Sequence, residues 1–415
     1  MSELAINGGP RVRPQGTNWP CWPISGPRER ELLGTVLSTG KWAGDGPMET
    51  EFSQKFAAYQ GCAFGFCVSS GTDALEISME ALGVGPGDEV IVPGFTWRST
   101  ASAVVSAGAD VVFVDVEAET YQIDPVRIEE AITPKTRAII PVHLYSRLVD
   151  MDAVLALARR YGLWVVEDCA QAHGGVWNRR MTGSMGDISC FSFQKGKVLT
   201  CGEAGFIGTS SRDLAEKVYG LKDCGRPWRS GRGGQVLGHN SRISEFQAAV
   251  LLAQFDNLDQ QVRYRAANGA YLDSELSGVP GIRTLRSDPR IQVQSHYSYI
   301  CQFDSREFAD VSPAAFRAAL RAEGIPADSS YGCVYGTEPW ASIDRSRWRV
   351  ESGTVAERVN NEVINLHQPL LLGSRSDMDD IVSAVRKLWD NKDELAAARL
   401  PAGPAAAISS RKASS

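Results

Sequence analysis

Two lysines separated by one glycine, Lys195 and Lys197, lie in the stretch FSFQKGKVLTCGEAG at residues 191–205. They follow an apolar, strand-like run and precede a glycine-bearing turn. A partly buried lysine amine at such a place could attack a carbonyl carbon and hold it covalently. Lysines at strand ends are more often solvated, however. The stretch alone therefore leaves open whether either lysine is catalytic, and which one.

Three further features could complete a site around such a lysine. The segment SSGTDALEI passes through Gly71 and Thr72 into a helix start, where free N–H groups, a hydroxyl and the helix dipole could hold a phosphate. Asp168 ends the apolar run LWVVED, so its carboxylate needs a cation or strong donors to stay ionised. Trp97, in PGFTWRST, could stack on a planar ring.

Each of these features also has a plainer interpretation: a capped turn, a carboxylate that caps the next segment, and a packing side chain. Together they are more informative, because all of them follow strand-like runs and ligand groups collect at the carboxyl ends of strands in open α/β sheets. A phosphate cradle, a stacking ring, a buried carboxylate and a lysine are the parts that hold pyridoxal phosphate. The lysine would form the Schiff base, and the aspartate would pair with the pyridinium nitrogen.

The elements that must position these residues can be read from residues 60 to 210. Near-continuous apolar runs alternate there with helix-like segments, which indicates a mostly parallel sheet buried on both faces. We expect an α/β fold with a seven-stranded sheet. The predicted strands are FGFCVSS (64–70), EVIVPGF (89–95), DVVFVDV (110–116), AIIPVHL (138–144), LWVVED (163–168), ISCFSF (188–193) and GFIGT (205–209).

The pattern changes towards the C-terminus. A capping box predicts a long helix from Ser244, and beyond residue 280 a strand at 296–303, a helix between Ser312 and Gly324 and a last helix after Ser376 indicate a smaller α+β domain. We expect four parts, namely an N-terminal arm (1–25), a large cofactor-binding domain (26–260), a small C-terminal domain (261–392) and a flexible tail (393–415).

Composition limits the classes of partner. The 415 residues are 43% hydrophobic and 22% charged with a net charge of −6, as in globular proteins that have no electrostatic reason to bind nucleic acid or an anionic membrane. The nine cysteines are scattered, which predicts neither a disulfide framework nor a metal site. The start resembles no signal peptide and no apolar run reaches membrane length, so we expect a reducing cytoplasm.

Several segments together resemble the DegT/DnrJ/EryC1/StrS family of sugar aminotransferases, which are pyridoxal phosphate enzymes of fold type I. The resemblance covers roughly residues 5–392. Within the family, GLKDCGRP and the SHY at 295–297 look similar to the branch that holds 3-amino-5-hydroxybenzoate synthases and glutamine:scyllo-inosose aminotransferases. The segments that carry the resemblance are SSGTDAL, VPGFTWRSTASAV, PVHLYSRLVDMDAV, VVEDCAQAHGG, GDISCFSFQKGKVLTCGEAGFIGT and GHNSRISEFQAAVL.

The resemblance implies a choice between the two lysines. The family's Schiff-base lysine maps to Lys197 and its phosphate-binding serine to Ser192, which leaves Lys195 at a variable position that could face substrate or solvent. Asp168 then matches the partner of the pyridinium nitrogen, and Gln171 the group near the ring hydroxyl.

The same matching covers the rest of the cofactor site and its neighbour. Trp97 matches the stacking aromatic residue, and Gly71 and Thr72 match the phosphate cradle. Asn240 matches an asparagine that reaches the phosphate from the neighbouring subunit. The resemblance therefore implies a homodimer with shared active sites.

Three departures from the family pattern stand out. Ala204, in GEAG, occupies a position that is usually glycine, which costs little unless the residue needs a positive φ. Arg98 follows Trp97 where an apolar residue is common. Ser146 and Arg147 replace a typical Gly-Gln. The two arginines could recognise an anionic or polyhydroxylated substrate or form salt bridges at a dimer surface.

Further substrate contacts are expected from Lys195, Tyr331 and His173. The residue Tyr331 lies in the aromatic and polar stretch SSYGCVYGTEPW. The plainer interpretation of both His173 and His143 is a buried core histidine whose ring nitrogens are hydrogen-bonded.

The resemblance implies a ping-pong transamination in which Lys197 acts as general acid and base. Glutamine or glutamate would donate the amino group, and a keto sugar or keto cyclitol of antibiotic biosynthesis would accept it. Two alternatives stay open: a dehydratase like the 3-amino-5-hydroxybenzoate synthases, which would also keep Lys197, and a catalytically silent partner protein. A dinucleotide-dependent oxidoreductase is disfavoured, because no predicted strand is followed by GxGxxG.

Overall fold

The computed structural model describes residues 2–228, 236–359 and 361–398. Its strands are β1 Phe64–Val68, β2 Glu89–Pro93, β3 Asp110–Val114, β4 Thr136–Ile139, β5 Trp164–Asp168, β6 Val176–Trp177, β7 Arg180–Met181, β8 Ile188–Ser192, β9 Gly205–Thr209, β10 Ile282–Thr284, β11 Ile291–Val293, β12 Ser298–Phe303, β13 Trp348–Val350 and β14 Val363–His367. Its α-helices are α1 Pro27–Thr39, α2 Pro47–Gln60, α3 Gly71–Leu82, α4 Ser99–Ser106, α5 Pro125–Ala131, α6 Met151–Tyr161, α7 Arg212–Lys222, α8 Glu245–Phe255, α9 Leu258–Leu276, α10 Pro313–Glu323, α11 Glu338–Ala341, α12 Thr354–Val359, α13 Arg375–Asp390 and α14 Lys392–Ala397.

The main sheet confirms the predicted α/β class. Its strand order is β1-β9-β8-β5-β4-β2-β3-β13, and only β9 runs antiparallel to its neighbours. All seven predicted strands belong to it. Because helices cover the sheet, the strand interiors are buried, as their apolar sequences require.

The sheet has an eighth strand that the sequence pattern does not reveal. The edge strand β13 pairs in parallel with β3, so residues 348–350 return from the C-terminal part of the chain to the large sheet. Three residues are too few to display the period-two alternation by which a strand is recognised. The expected small domain at 261–392 therefore contributes one strand to the large one.

A second core forms around the antiparallel sheet β10-β12-β14 and the helices α9, α10 and α13. The helix α10 is capped by Ser312 and ends at Gly324, as predicted. The helix α13 begins two residues before the predicted place, because Ser374 is its cap and forms a capping box with Asp377. The expected domain boundary at residue 260 falls inside α9.

The N-terminal arm packs on this second core. Leu4 is fully buried in it, and the Glu323 carboxylate accepts hydrogen bonds from the backbone N–H groups of Ala5 and Val12. Arg13 forms ion pairs of 2.7 Å with both Asp377 and Asp380 of α13. These contacts attach the arm to the C-terminal part of the chain.

The C-terminal region was expected to be a flexible tail from residue 393. Residues 392–397 instead form the short helix α14, which buries Leu395 in the second core. Residues 399–415 lie outside the described part of the chain. Within the described ranges, no helix combines the length and apolar character that a membrane crossing requires.

Candidate active site

The loops that follow β1, β2, β5 and β8 enclose a cavity of about 400 Å³. These four strands point the same way, so their carboxyl ends meet at one edge of the sheet. The predicted site residues that line this cavity are Gly71, Thr72, Trp97, Asp168, Gln171, Ser192, Lys197 and Tyr331.

The turn after β8 separates the two lysines. The backbone N–H of Lys197 donates to the Gln194 carbonyl at 2.8 Å, and the Gly196 N–H donates to the Gln194 side chain at 2.7 Å. This turn directs Lys197 into the cavity, where its Nζ lies 4.5 Å from the centre of the Tyr297 ring. Lys195 is exposed, and its carbonyl accepts a hydrogen bond of 2.9 Å from the Trp22 indole.

Asp168 closes the floor of the cavity. One carboxylate oxygen accepts a hydrogen bond of 2.9 Å from the Thr100 hydroxyl, and the other accepts one of 3.1 Å from the Ala170 N–H. Burial raises the pKa of the Asp168 carboxyl, while these hydrogen bonds and the positive charge of Lys197 oppose the rise. A cationic group bound above Asp168 would favour its ionised form further.

A glycine at residue 71 is required by close packing. A Cβ atom there would lie 2.7 Å from the Cβ of Ser192, so the start of α3 and the end of β8 approach as only glycine allows. Ser70 caps α3 by accepting the Asp73 N–H. The first N–H groups of a helix lack intrahelical partners, so this corner, which also carries Thr72, is suited to an anion.

Aromatic rings form the opposite wall of the cavity. Trp97 is 44% exposed, and its ring lies 5.3 Å from that of Tyr331 in an edge-on arrangement. Tyr331 in turn stacks on the buried Tyr145 at 5.5 Å. The open face of Trp97 is therefore available to a flat ligand.

The cavity-lining residues that were not predicted include two whose side chains contact Asp168 or Lys197 directly. The Thr100 hydroxyl contacts Asp168, and the Tyr297 ring covers the Lys197 amine. Thr100 stands in the quoted segment PGFTWRST, three residues after Trp97, and Tyr297 ends the SHY segment. Neither segment contained a signal that a side chain would turn towards Asp168 or Lys197.

Gln171 connects the aromatic wall to the floor. Its side-chain oxygen accepts the Tyr145 N–H at 2.7 Å, and its side-chain nitrogen donates to the Tyr331 hydroxyl at 3.3 Å. Both bonds hold the amide in a fixed position beside Asp168.

Two predicted substrate residues, Arg98 and Arg147, and the predicted cofactor residue Asn240 lie outside the cavity lining. Arg98 is exposed and lies over the Trp97 ring at 4.8 Å, at the rim of the site. Arg147 is buried, and its guanidinium nitrogen lies 3.8 Å from a carboxylate oxygen of Asp273. It lines a separate crevice of about 170 Å³. Burial lowers the pKa of the Arg147 guanidinium. Asn240 is exposed, and its backbone bridges to Asp223.

The two histidines lie behind the site in the core. His173 is fully buried, its Nε2 donates to the Ser192 carbonyl at 2.9 Å, and burial lowers its pKa to about 3. His143 accepts the Val149 N–H on Nδ1 and donates from Nε2 to Glu167 at 3.0 Å. The His173 ring is thus neutral, and the hydrogen bonds of both rings support the backbone around the cavity.

The group formed by His143, Glu167 and Cys169 has donor types that could hold a metal ion. Its Glu167 carboxylate, however, already accepts hydrogen bonds from His143 and from the N–H groups of Gly183, Met185 and Gly186. Burial raises the pKa of Glu167, and these bonds reverse that effect and leave it below its usual value. The group is a structural hydrogen-bond network.

The geometry favours a particular kind of ligand. A flat ring that carries a phosphate and a basic nitrogen would place the phosphate at the corner formed by Gly71 and Ser192, the nitrogen at Asp168 and one face against Trp97. The Lys197 amine would then be free to bond a carbonyl carbon on that ring. A volume of about 400 Å³ leaves room for such a ligand. The residues present therefore fit pyridoxal phosphate.

Comparisons with known proteins show which family and which solved fold the chain is similar to. The model of the DegT/DnrJ/EryC1/StrS aminotransferase family matches residues 23–386. The chain is 38% identical to L-glutamine:2-deoxy-scyllo-inosose aminotransferase of Streptoalloteichus tenebrarius, over 95% of this chain and 99% of that protein. It is 37% identical to L-glutamine:scyllo-inosose aminotransferase of Streptomyces griseus, again over 95% of this chain and 99% of the relative. The crystal structure of 3-amino-5-hydroxybenzoic acid synthase is similar with a TM-score of 0.83 and 31% identity, over 92% of this chain and 99% of that one.

Proposed function

We propose that this chain, which belongs to the DegT/DnrJ/EryC1/StrS aminotransferase family, transfers the amino group of glutamine to the keto group of a cyclitol. The chain is a pyridoxal-phosphate-dependent aminotransferase. When bound, the cofactor supplies an electron sink that stabilises negative charge on the carbon bearing the amino group. One observation carries the assignment of the site: Lys197 and Asp168 line the same cavity, whereas Lys195 is exposed and does not line it.

We assign the proton transfers to the Lys197 amine. Its Nζ would take the proton from the α-carbon of the amino donor and later deliver a proton to the carbonyl carbon of the acceptor. The Tyr297 ring lies beside this amine at 4.5 Å and would restrict its movement. The hydrogen bond from the Lys197 N–H to the Gln194 carbonyl fixes the backbone of the lysine.

Asp168 would hold a proton on the cofactor's ring nitrogen. Its buried carboxylate is ionised most easily when a positive charge lies next to it, because burial alone raises its pKa. Thr100 and Ala170 fix the orientation of the carboxylate. Gln171 would lie near the ring hydroxyl, and Trp97 would stack on the ring face.

The phosphate would be bound at the corner of α3 and β8. The N–H groups of Gly71 and Thr72 and the hydroxyl of Ser192 supply donors there. The exposed Asn240 does not line the cavity of its own chain. We therefore propose that Asn240 reaches the phosphate of a neighbouring subunit in a homodimer, which we place in the reducing cytoplasm.

The proposal that the acceptor is a cyclitol is supported by relatives that align with nearly the full chain. Two of them are named for glutamine as donor and for an inosose as acceptor. The hydroxyls of Tyr297 and Tyr331, together with Arg98 at the rim, offer donors to a polyhydroxylated ring. We propose on this basis that the reaction belongs to the biosynthesis of aminocyclitol antibiotics.

A half-reaction screen tests the proposal. The holoenzyme is mixed with single amino acids, and conversion of the cofactor to its amine form is followed by absorption. We expect glutamine to convert it and scyllo-inosose or its 2-deoxy form to reverse the change. A wild-type enzyme that no amino donor converts would refute amino transfer and support the silent-partner interpretation.

A dehydratase is the second candidate, supported by the likeness to 3-amino-5-hydroxybenzoic acid synthase. The same holoenzyme, given an aminated and hydroxylated cyclohexenone, would then release one water and form an aromatic product. Ultraviolet absorption of the product distinguishes the two reactions. Amino transfer without aromatisation is the result that we expect.

A further inference from the structure

We propose that Ser146 is a positioning residue for the active-site cavity. Its buried hydroxyl holds the turn that carries Tyr297 against the turn that carries Gln171. Ser146 does not itself line the cavity, so it would act only through these neighbours. This inference rests on the proposed function of the same site.

The hydroxyl of Ser146 uses its full hydrogen-bonding capacity. It donates to the Gln171 carbonyl, and it accepts the Tyr297 N–H at 2.7 Å and the Ser295 hydroxyl at 3.1 Å. A hydroxyl has one proton to donate and two lone pairs to accept with. Ser146 and Ser295 are both fully buried, so no water competes for these bonds.

The backbone at this junction is strained. Tyr145 has a φ of 56°, Ser146 one of 62° and His296 one of 52°, all in the left-handed region that glycine adopts more easily. A serine at such a position is explained if its side chain makes up for the strain. The three buried hydrogen bonds are contacts that glycine could not make.

The hydrogen bonds form a closed ring that includes both tyrosines of the cavity. Gln171 donates to the Tyr331 hydroxyl at 3.3 Å, Tyr331 donates to the Tyr297 hydroxyl at 3.2 Å, and the Tyr297 backbone returns to Ser146. Moving any member shifts the others. Ser146 does not line the cavity, yet it joins the two backbone segments.

The position of the Tyr297 ring affects the reacting amine of Lys197. The Tyr297 ring lies 4.5 Å from the Lys197 Nζ, so its position sets the space and the electrostatic surroundings of that amine. Release of the turn that carries Tyr297 would let the ring move away. Proton transfer by Lys197 should slow, while the phosphate corner at Gly71 stays intact.

Ser146→Gly is the test variant, because it removes the hydroxyl and relaxes the backbone at the same position. We expect kcat of the holoenzyme to fall on the order of 10- to 100-fold, the scale of a misplaced reacting group. KM should change less than kcat, and cofactor affinity should be unchanged. The pH midpoint of the cofactor's visible absorption should shift, because the surroundings of the Lys197 amine change.

Ser295→Ala is the matched control. It removes a buried hydroxyl that contacts the same oxygen but leaves the bonds from Ser146 to Gln171 and Tyr297 in place. We expect its kcat and its absorption midpoint to stay close to those of the wild type. Thermal melting of both variants checks that they fold.

A double variant tests the route of the effect. If Ser146 acts through the Tyr297 ring, then Ser146→Gly combined with Tyr297→Ala should be no slower than Tyr297→Ala alone. Additive losses, or a wild-type kcat and absorption midpoint in Ser146→Gly, would overturn the inference. These outcomes require an active wild-type enzyme, so they are distinct from a failure of the proposed function itself.

Discussion

At the scale of single residues, the chemistry depends on a buried acid and an amine that face one cavity. Asp168 is 4% exposed, and desolvation works against its charge. The site gives up some stability of the empty protein in order to bind a cationic ring, as active sites commonly do. Lys197 differs from Lys195 through the direction of one turn and not through local composition.

The two lysines give the first prediction at this scale. Lys197→Ala should lose the visible absorption of the lysine-bound cofactor and lower the transamination rate by roughly 100- to 10,000-fold, the range for loss of a general acid and base. Absorption spectra and single-turnover rates of the purified variants measure both effects. Lys195→Ala serves as the control, since that side chain is exposed. Retention of the absorption in Lys197→Ala, with loss in Lys195→Ala, would reverse the assignment.

Much of the site could be predicted from residue types at strand ends, and the exceptions have a common cause. Asp168 ends β5, Gly71 begins the helix after β1 and Lys197 lies in the turn after β8, so sheet topology brings these three segments to one edge. Tyr297 reaches the cavity from a turn far along the chain, whose direction depends on hydrogen bonds to Ser146. Arg147 was expected to contact substrate or to form a salt bridge at a dimer surface, and its side chain lies in another crevice beside Asp273. No local pattern encodes these directions.

At the scale of elements, hydrophobic runs identified the seven strands that are buried on both faces. The edge strand β13 was not predicted, because it is only partly buried and spans three residues. Ala204 is fully buried in the turn before β9, and its φ is not in the left-handed region, so the added methyl group carries no backbone strain. The first residue of α13 depends on which of two nearby serines, Ser374 or Ser376, caps the helix.

That choice between serines is a prediction about helix stability. Ser374→Ala should lower the free energy of unfolding by about 1 kcal/mol, because the Ser374 hydroxyl accepts the Asp377 N–H and donates to the Asp377 carboxylate. Ser376→Ala removes a hydroxyl in the first turn that makes neither bond and should change the stability little. Denaturant unfolding of the two variants compares them. Equal effects would contradict the assignment of the cap.

At the scale of the whole molecule, α9 and the return of β13 connect the C-terminal core to the large-sheet part of the described chain. The cavity is built almost wholly from the large sheet, with Tyr297 and Tyr331 as contributions from the later part of the chain. Asn240 is the one predicted cofactor residue that lies outside this cavity. Its predicted role therefore depends on a second copy of the chain.

Mixing two inactive variants tests this shared site. If each site combines Lys197 of one subunit with Asn240 of its partner, homodimers of Lys197→Ala lack the amine in every site and homodimers of Asn240→Ala lack the amide in every site. A hybrid dimer of the two variants would contain one site with both residues intact. We expect mixed and refolded protein to regain activity and cofactor retention that neither variant has alone, in proportion to the hybrid fraction measured by native mass spectrometry. Because each subunit of the hybrid keeps one defect, sites that use only their own residues would gain nothing on mixing, and that result would confine Asn240 to a role within its own chain.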